Sequence, residues 1–216
     1  MKPNLIFLGK PGAGKGTQLQ FMYDRGYKAV SVGEVLRKMA KKETNDGKEL
    51  RRLMNEGKLL PDEFVIKLLD KEIKRKNGLI FDGFPRTLQQ AKELDKMLQK
   101  RNMKLDGVIN IFTPDSLIIK RIAGRYNCRK CGATYNDYGN KPKKEGICDI
   151  CKGNEFYRRD DDKKSVIKNR LKIYKKEVNP IVDYYKSKDI YYKVSASSGN
   201  AIETDKNVME VISDLS

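Results

Sequence analysis

The sequence predicts an α/β protein: a doubly wound, parallel five-stranded sheet with helices on both faces, interrupted by two insertions. Three observations carry this reading. Five short apolar runs, Leu5–Leu8, Ala29–Ser31, Leu79–Phe81, Val108–Phe112 and Ile190–Val194, have the length and residue types of strands buried on both sides. Stretches with apolar residues every three or four positions separate them, and strands alternating with helices imply parallel pairing through helical crossovers. Glycines crowd the positions directly after the first run, where a strand must turn into a helix.

That first turn reads Gly9-Lys10-Pro11-Gly12-Ala13-Gly14-Lys15-Gly16-Thr17. Glycines at 9, 12, 14 and 16 let backbone N–H groups approach an anion without a Cβ in the way. A helix beginning near Gly14 aims its positive end at the same point, and Lys15 adds a mobile point charge. Strand, glycine loop, lysine and helix in this order describe a phosphate-binding loop. An ordinary loop of this type places Ser or Thr straight after the lysine to hold Mg²⁺; here that position is Gly16, with Thr17 one later. This variant is similar to nucleoside monophosphate kinases.

Residues 31–60 are mostly polar and helical, with no strand of their own, and read as the first insertion. Ser31-Val32-Gly33-Glu34 has the form of a capping box. Pro61-Asp62-Glu63 and Thr113-Pro114-Asp115 have the form of helix starts, with proline in the first turn and acids at the positive dipole end. Phe64, Val65, Leu68, Leu69 and Ile73 continue the first of these as a helix. Thr87-Leu88-Gln89-Gln90 is a second capping box. Ile167, Leu171, Tyr174, Val178, Ile181 and Tyr185 mark a long helix in which Pro180 is expected to make a kink. Residues 125–162 lose the helical period and contain all four cysteines, which makes them the second insertion. The implied organisation is one core from 1–30, 61–124 and 163–216, with 31–60 and 125–162 inserted into it.

Cys128-Arg129-Lys130-Cys131 and Cys148-Asp149-Ile150-Cys151 are two CxxC knuckles separated by sixteen residues. That pattern is the signature of a tetrahedral zinc site. Four thiolates leave no open position, so the metal is structural, ordering a segment too poor in apolar residues to order itself. Iron takes the same ligands.

Lys and Arg number 46 against 29 Asp and Glu, a net charge of +17 that suits polyphosphates and nucleic acids equally. The cysteine segment also carries Arg129, Lys130, Lys141, Lys143 and Lys144 near Tyr135 and Tyr138, which leaves a strand-binding ribbon open as an alternative. The chain has no histidine, which excludes phosphohistidine chemistry and histidine bases or ligands. No apolar run approaches a membrane span, and thiols in such a chain point to the cytoplasm.

Taken together, the chain resembles adenylate kinase of the long type with a zinc-binding lid, over nearly its full length. The motifs are Gly9–Thr17, Asp82-Gly83-Phe84-Pro85-Arg86 with Gln90, Arg121-Ile122-Ala123-Gly124-Arg125, the four cysteines, and Arg159-Asp160-Asp161-Asp162 leading to Arg170. The resemblance implies a P-loop NTPase-type core, a monophosphate-binding flap in 31–60, and a lid in 125–162. It implies reversible transfer from MgATP to AMP, with ATP and Mg²⁺ as the substrate complex, one structural Zn²⁺, no specific nucleic acid and a monomer. Lys15, Gly12, Ala13, Gly14, Gly16 and Thr17 would hold the donor phosphates, and Asp82 the water shell of Mg²⁺. Arg37 and Arg86 would grip the AMP phosphate, Arg125, Arg159 and Arg170 the transferred group, and Arg121 the ATP base and phosphates. Asp161 and Asp162 would orient lid arginines. Gln90 would read the AMP base or simply cap its helix. Val32 and Glu34 stand where the family often has Thr and Asp, so a contact to the AMP base is lost at Val32.

Overall fold

The computed structural model describes residues 1–56, 60–162 and 164–215; the side chains of Asp46, Asp161, Lys164 and Ser165 fall outside the description. Strands β1 (Leu5–Leu8), β2 (Lys28–Ser31), β3 (Leu79–Asp82), β4 (Gly107–Phe112) and β8 (Tyr191–Ser195) form one sheet in the order β2-β3-β1-β4-β8. Every pairing in it is parallel. The five apolar runs are these five strands, shifted by one residue at five of their ten ends.

The inner strands β1, β3 and β4 are largely buried, which accounts for their continuous apolar character, while the edge strands β2 and β8 are partly exposed and carry Lys28 and Lys193. In β1, Ile6 and Leu8 belong to one core cluster, and Leu5 and Phe7 to the other. The first cluster gathers Leu36, Leu50, Leu69, Leu94 and Tyr185 from α2 (Val32–Ala40), α3 (Asn45–Glu56), α4 (Asp62–Glu72), α5 (Leu88–Lys100) and α7 (Lys164–Lys186). The second takes Leu19 and Met22 from α1 (Lys15–Asp24) and Val208 and Ile212 from α8 (Ala201–Asp214). A smaller cluster of Ile118, Ile122, Ile167 and Leu171 joins α6 (Asp115–Ala123) to α7.

The chain turns outward from β1 to β2 and later inward to β4, so the strand order reverses around β1. Ligands of open α/β sheets bind at such a reversal, beyond the carboxyl ends of the strands. The glycine loop lies there.

Ser31 closes β2, and residues 32–60 hold α2 and α3 with no strand among the described residues. Residues 125–162 form a separate antiparallel sheet, β6 (Thr134–Asn136), β5 (Arg125–Cys128) and β7 (Phe156–Tyr157), followed by a turn of 3₁₀ helix at Asp160–Asp162. Pro180 lies inside helix α7, where the sequence places it. One local expectation changes. Ser31 takes the N-cap position of α2 but caps nothing; its hydroxyl instead donates to Asp82 Oδ2 at 3.0 Å. The hydroxyl proton goes to a carboxylate, a charge-assisted bond stronger than a neutral one. Among the described residues, no helix is long and apolar enough to cross a membrane.

Candidate active site

The loop after β1 is shaped by its glycines. Gly12 has φ +82°, and a Cβ there would stand 2.6 Å from Ile122 Cγ1. Gly14, with φ +101°, is the left-handed N-cap of α1, so Lys15 is the first helical residue. Gly16 differs: a Cβ there meets nothing within 4 Å, so packing does not demand glycine and the space beside it is open. Ala13 is buried, and its carbonyl accepts hydrogen bonds from Thr113 Oγ1 at 3.0 Å and Arg121 Nη1 at 3.2 Å. Arg121 Nη2 reaches Ala196 O at 3.4 Å, which lays this guanidinium along the loop. Thr17 N–H donates to Gly14 O at 3.1 Å, inside the first helical turn.

Lys15 folds back over the loop, donating to Gly9 O at 2.6 Å and Lys10 O at 3.2 Å. Burial lowers its ammonium from the ordinary lysine range to about 8. Asp82 opposes that shift, while the positive charges of Arg86, Arg170 and Arg125 deepen it. Three arginines that are far apart in sequence therefore act electrostatically on one lysine. The arrangement concentrates positive charge beside the loop, a setting that suits a polyanion.

Asp82 ends β3 opposite Phe7 of β1, with Ser31 Oγ as a donor. Arg86 Nε donates to Gly83 O at 2.7 Å. Gln90 is 2% exposed, and its amide is fully oriented. Its Oε1 accepts from Arg86 N–H at 2.8 Å, and its Nε2 donates to Asp62 Oδ1 at 2.7 Å. Its backbone N–H is capped by Thr87 Oγ1 at 3.1 Å, as the capping-box reading expects. Arg37 lies half-buried in the last turn of α2, with its guanidinium beside Gly33. Val32 is 4% exposed and packs in the core cluster with Leu36.

At the second insertion, Arg125 Nε donates to Asp162 Oδ2 at 2.8 Å, and Nη2 binds the other carboxylate oxygen, a bidentate pair. Arg159 Nε donates to Asn127 Oδ1 at 3.0 Å. The side chain of Asp161 lies outside the described residues. Gly124 is held by space: a Cβ there would stand 2.7 Å from the Tyr138 ring.

The four cysteine sulfurs all lie within 4.8 Å of one another. Cys128–Cys151 and Cys131–Cys148 are each 3.5 Å apart. A tetrahedral zinc with Zn–S of about 2.3 Å spaces its sulfurs about 3.8 Å apart, so the donor set fits the ion. Burial alone would raise the Cys148 thiol, but the Tyr135 hydroxyl and the backbone amides of Cys151 and Ile150 outweigh it and hold the thiol at about 6. Tyr135 is 3% exposed, so it cannot serve as a stacking platform for a nucleic-acid base.

The family model for adenylate kinase matches residues 7–190. The chain belongs to the adenylate kinase family. It is 42% identical over 212 residues to an adenylate kinase from Caldicellulosiruptor bescii, covering 96% of this chain and 98% of that one. It is 44% identical over 198 residues to one from Archaeoglobus fulgidus, covering 90% and 91%. A third, from Zymomonas mobilis, is 45% identical over 191 residues, covering 87% and 86%. This adenylate kinase family member is therefore an enzyme of the kinase class.

Several residues around the site of this adenylate kinase chain carry no motif of their own. Asp62 reads in the sequence as a helix-start acid, yet it accepts from both Gln90 Nε2 and Thr87 Oγ1. Asp115, another helix-start acid, binds Lys10 of the loop at 2.5 Å and Lys175 at 2.9 Å. Those two ammonium groups hold its carboxyl below the usual range. Thr113 and Asn127 orient the loop and Arg159 respectively. Only the helix-start acids had a signal in the sequence, and it pointed to a dipole and not to these partners.

Proposed function

We propose that the protein transfers a phosphoryl group reversibly from MgATP to AMP, giving two ADP, by direct in-line displacement. The observation that carries this reading is the convergence of Asp82, Arg86, Arg125 and Arg170 on Lys15 at the mouth of a phosphate loop. The bond from the γ-phosphorus to the β–γ bridging oxygen breaks as one forms to an AMP phosphate oxygen. Such a transfer asks a protein mainly for positioning and charge, because charge spreads over the equatorial oxygens in the transition state. Lys15 and the loop residues Gly12, Ala13, Gly14, Gly16 and Thr17 hold the donor phosphates. Arg121, already laid along the loop, takes the ATP base and phosphates. Asp82 orients the water shell of Mg²⁺, which keeps most of its waters in such sites.

Arg37 and Arg86 grip the AMP phosphate, and Gln90 faces its base beside Val32. Arg125, Arg159 and Arg170 neutralise the group in flight; planar bidentate donors suit it better than lysines. In this reading residues 31–60 are the monophosphate flap and 125–162 a lid that excludes water, the competing acceptor. Asp162, with Asp161, orients the lid arginines. Cys128, Cys131, Cys148 and Cys151 hold a zinc ion whose contribution is to stiffen the lid.

The test is ADP formation from MgATP with AMP, CMP, UMP and GMP in parallel, alongside Lys15→Ala. Rapid turnover with AMP, lost in the variant, is expected. Preference for another monophosphate would overturn the acceptor assignment, and turnover independent of any monophosphate would overturn the reaction.

A further inference from the structure

We infer that Tyr135 is a positioning residue for the cysteine-held metal: its hydroxyl donates to Cys148 Sγ and keeps that thiolate in the coordination shell. The inference rests on the zinc reading given above and concerns a residue outside the ligand set.

The direction of the hydrogen bond follows from its neighbours. Asp149 N–H donates to the Tyr135 hydroxyl oxygen at 2.7 Å, so the oxygen is an acceptor in that contact. Its own proton is then available for Cys148 Sγ, 3.3 Å away, which as a metal-bound thiolate has no proton to give. A phenol buried to 3% exposure needs such an acceptor, since an unpaired buried hydroxyl is costly. The ring has little freedom to turn elsewhere. It lies on β6 directly opposite Tyr126 of β5, stacked with it at 5.9 Å and edge-on to Phe156 at 5.7 Å.

The charge of the site gives the contact its purpose. A divalent ion with four thiolates carries an excess of two negative charges, in a segment where Cys128 and Cys148 are fully buried. Donors to the sulfurs spread that charge, and partners behind metal ligands commonly decide affinity. The amides of Ile150 and Cys151 also reach Cys148, but they come from its own knuckle. Tyr135 comes from the strand after the first knuckle. It therefore fastens the second cysteine pair to the sheet that carries the first.

The experiment compares zinc affinity by chelator competition in the whole protein, Tyr135→Phe and Tyr126→Phe. Phenylalanine keeps the ring in the aromatic cluster and removes only the donor. A fall of about ten- to a hundredfold in zinc affinity is expected for Tyr135→Phe alone, the usual range for such partners. The thiolate-to-metal absorption band of the cobalt-substituted variant should shift with it. Affinity equal to that of the unaltered protein would overturn the inference while leaving the zinc site intact. An unaltered protein that holds no zinc would overturn the zinc reading itself, and this inference with it. Should Tyr135→Phe not fold, the cadmium-113 form of the unaltered protein decides. A slowly exchanging Tyr135 hydroxyl proton coupled to the metal supports the inference, and a rapidly exchanging one overturns it.

Discussion

Asp62 and Gln90, twenty-eight positions apart, are joined by a 2.7 Å hydrogen bond from the glutamine amide to the carboxylate. Because Asp62 only accepts, it fixes which end of the Gln90 amide is nitrogen. The other end, Oε1, is in turn held by Arg86 N–H. A residue first legible as a cap is thereby oriented on both sides.

Replacing Asp62 with Ala leaves a buried Gln90 Nε2 and the Thr87 hydroxyl without that partner. An unsatisfied buried group costs roughly 1–3 kcal/mol. Urea unfolding should show a loss of that order. If Gln90 also faces the acceptor base, the preference for AMP over GMP should narrow in the same variant. An unchanged preference would reduce Gln90 to a cap.

The lowered ammonium of Lys15 makes nucleotide binding sensitive to alkaline pH. In the free protein Lys15 loses its proton as pH rises through about 8. Bound phosphates favour the charged form and raise that value, so binding at pH 8.5–9 should take up nearly one proton per chain. ATP affinity should then fall by up to about tenfold per pH unit above 8. Calorimetry in buffers of different ionisation enthalpy reads the proton uptake directly. In the free protein the sign for stability is opposite. The unfolded lysine binds more protons between about 8 and 10.5, so this residue's share of stability rises with pH in that window.

Asp162→Ala removes the bidentate partner of Arg125. The guanidinium then loses the plane that the proposed reaction needs. A loss of about ten- to a hundredfold in kcat is expected, with a smaller change in the KM for ATP. Arg125→Lys should not recover activity, since an ammonium cannot make the paired contact. Steady-state kinetics of both variants check this.

Gly12→Ala and Gly16→Ala should separate folding from binding. The first meets Ile122 at 2.6 Å in a left-handed backbone, and a loss of about 1–3 kcal/mol in stability is expected. The second meets no protein atom within 4 Å. Its melting temperature should hold while its KM for ATP rises, because the new methyl occupies space left for phosphate.

Stripping zinc with a strong chelator should loosen residues 125–162 while the parallel sheet persists. Limited proteolysis is expected to cut within that segment only in the stripped protein, and restored zinc should reverse it. Equal cleavage with and without metal would show that the segment holds itself together through Tyr126, Tyr135 and Phe156.

The sheet was legible because its information is local. A strand buried on both faces writes itself as an unbroken apolar run, and β1, β3 and β4 read out that way; the edge strands β2 and β8 were legible from shorter or interrupted runs. The phosphate loop was legible for the same reason, since its glycines and Lys15 are consecutive. The two CxxC pairs carried their spacing in plain view, and the fold brings their sulfurs to within 4.8 Å of one another. By itself the sequence thus determined the fold class, the glycine loop after β1 and the cysteine set that could hold a metal. What only tertiary structure decided is which polar atoms meet across long separations. Ser31 reads as a cap but turns to Asp82, Asp62 reads as a dipole partner but clamps Gln90, and Tyr135 reads as an aromatic of a possible strand-binding ribbon but is buried against Cys148. The physical reason is that a local pattern offers a polar side chain a partner, and packing then brings in others. Which hydrogen bond forms depends on the acceptor's charge, its burial and its direction, and none of these exists until the strands are side by side.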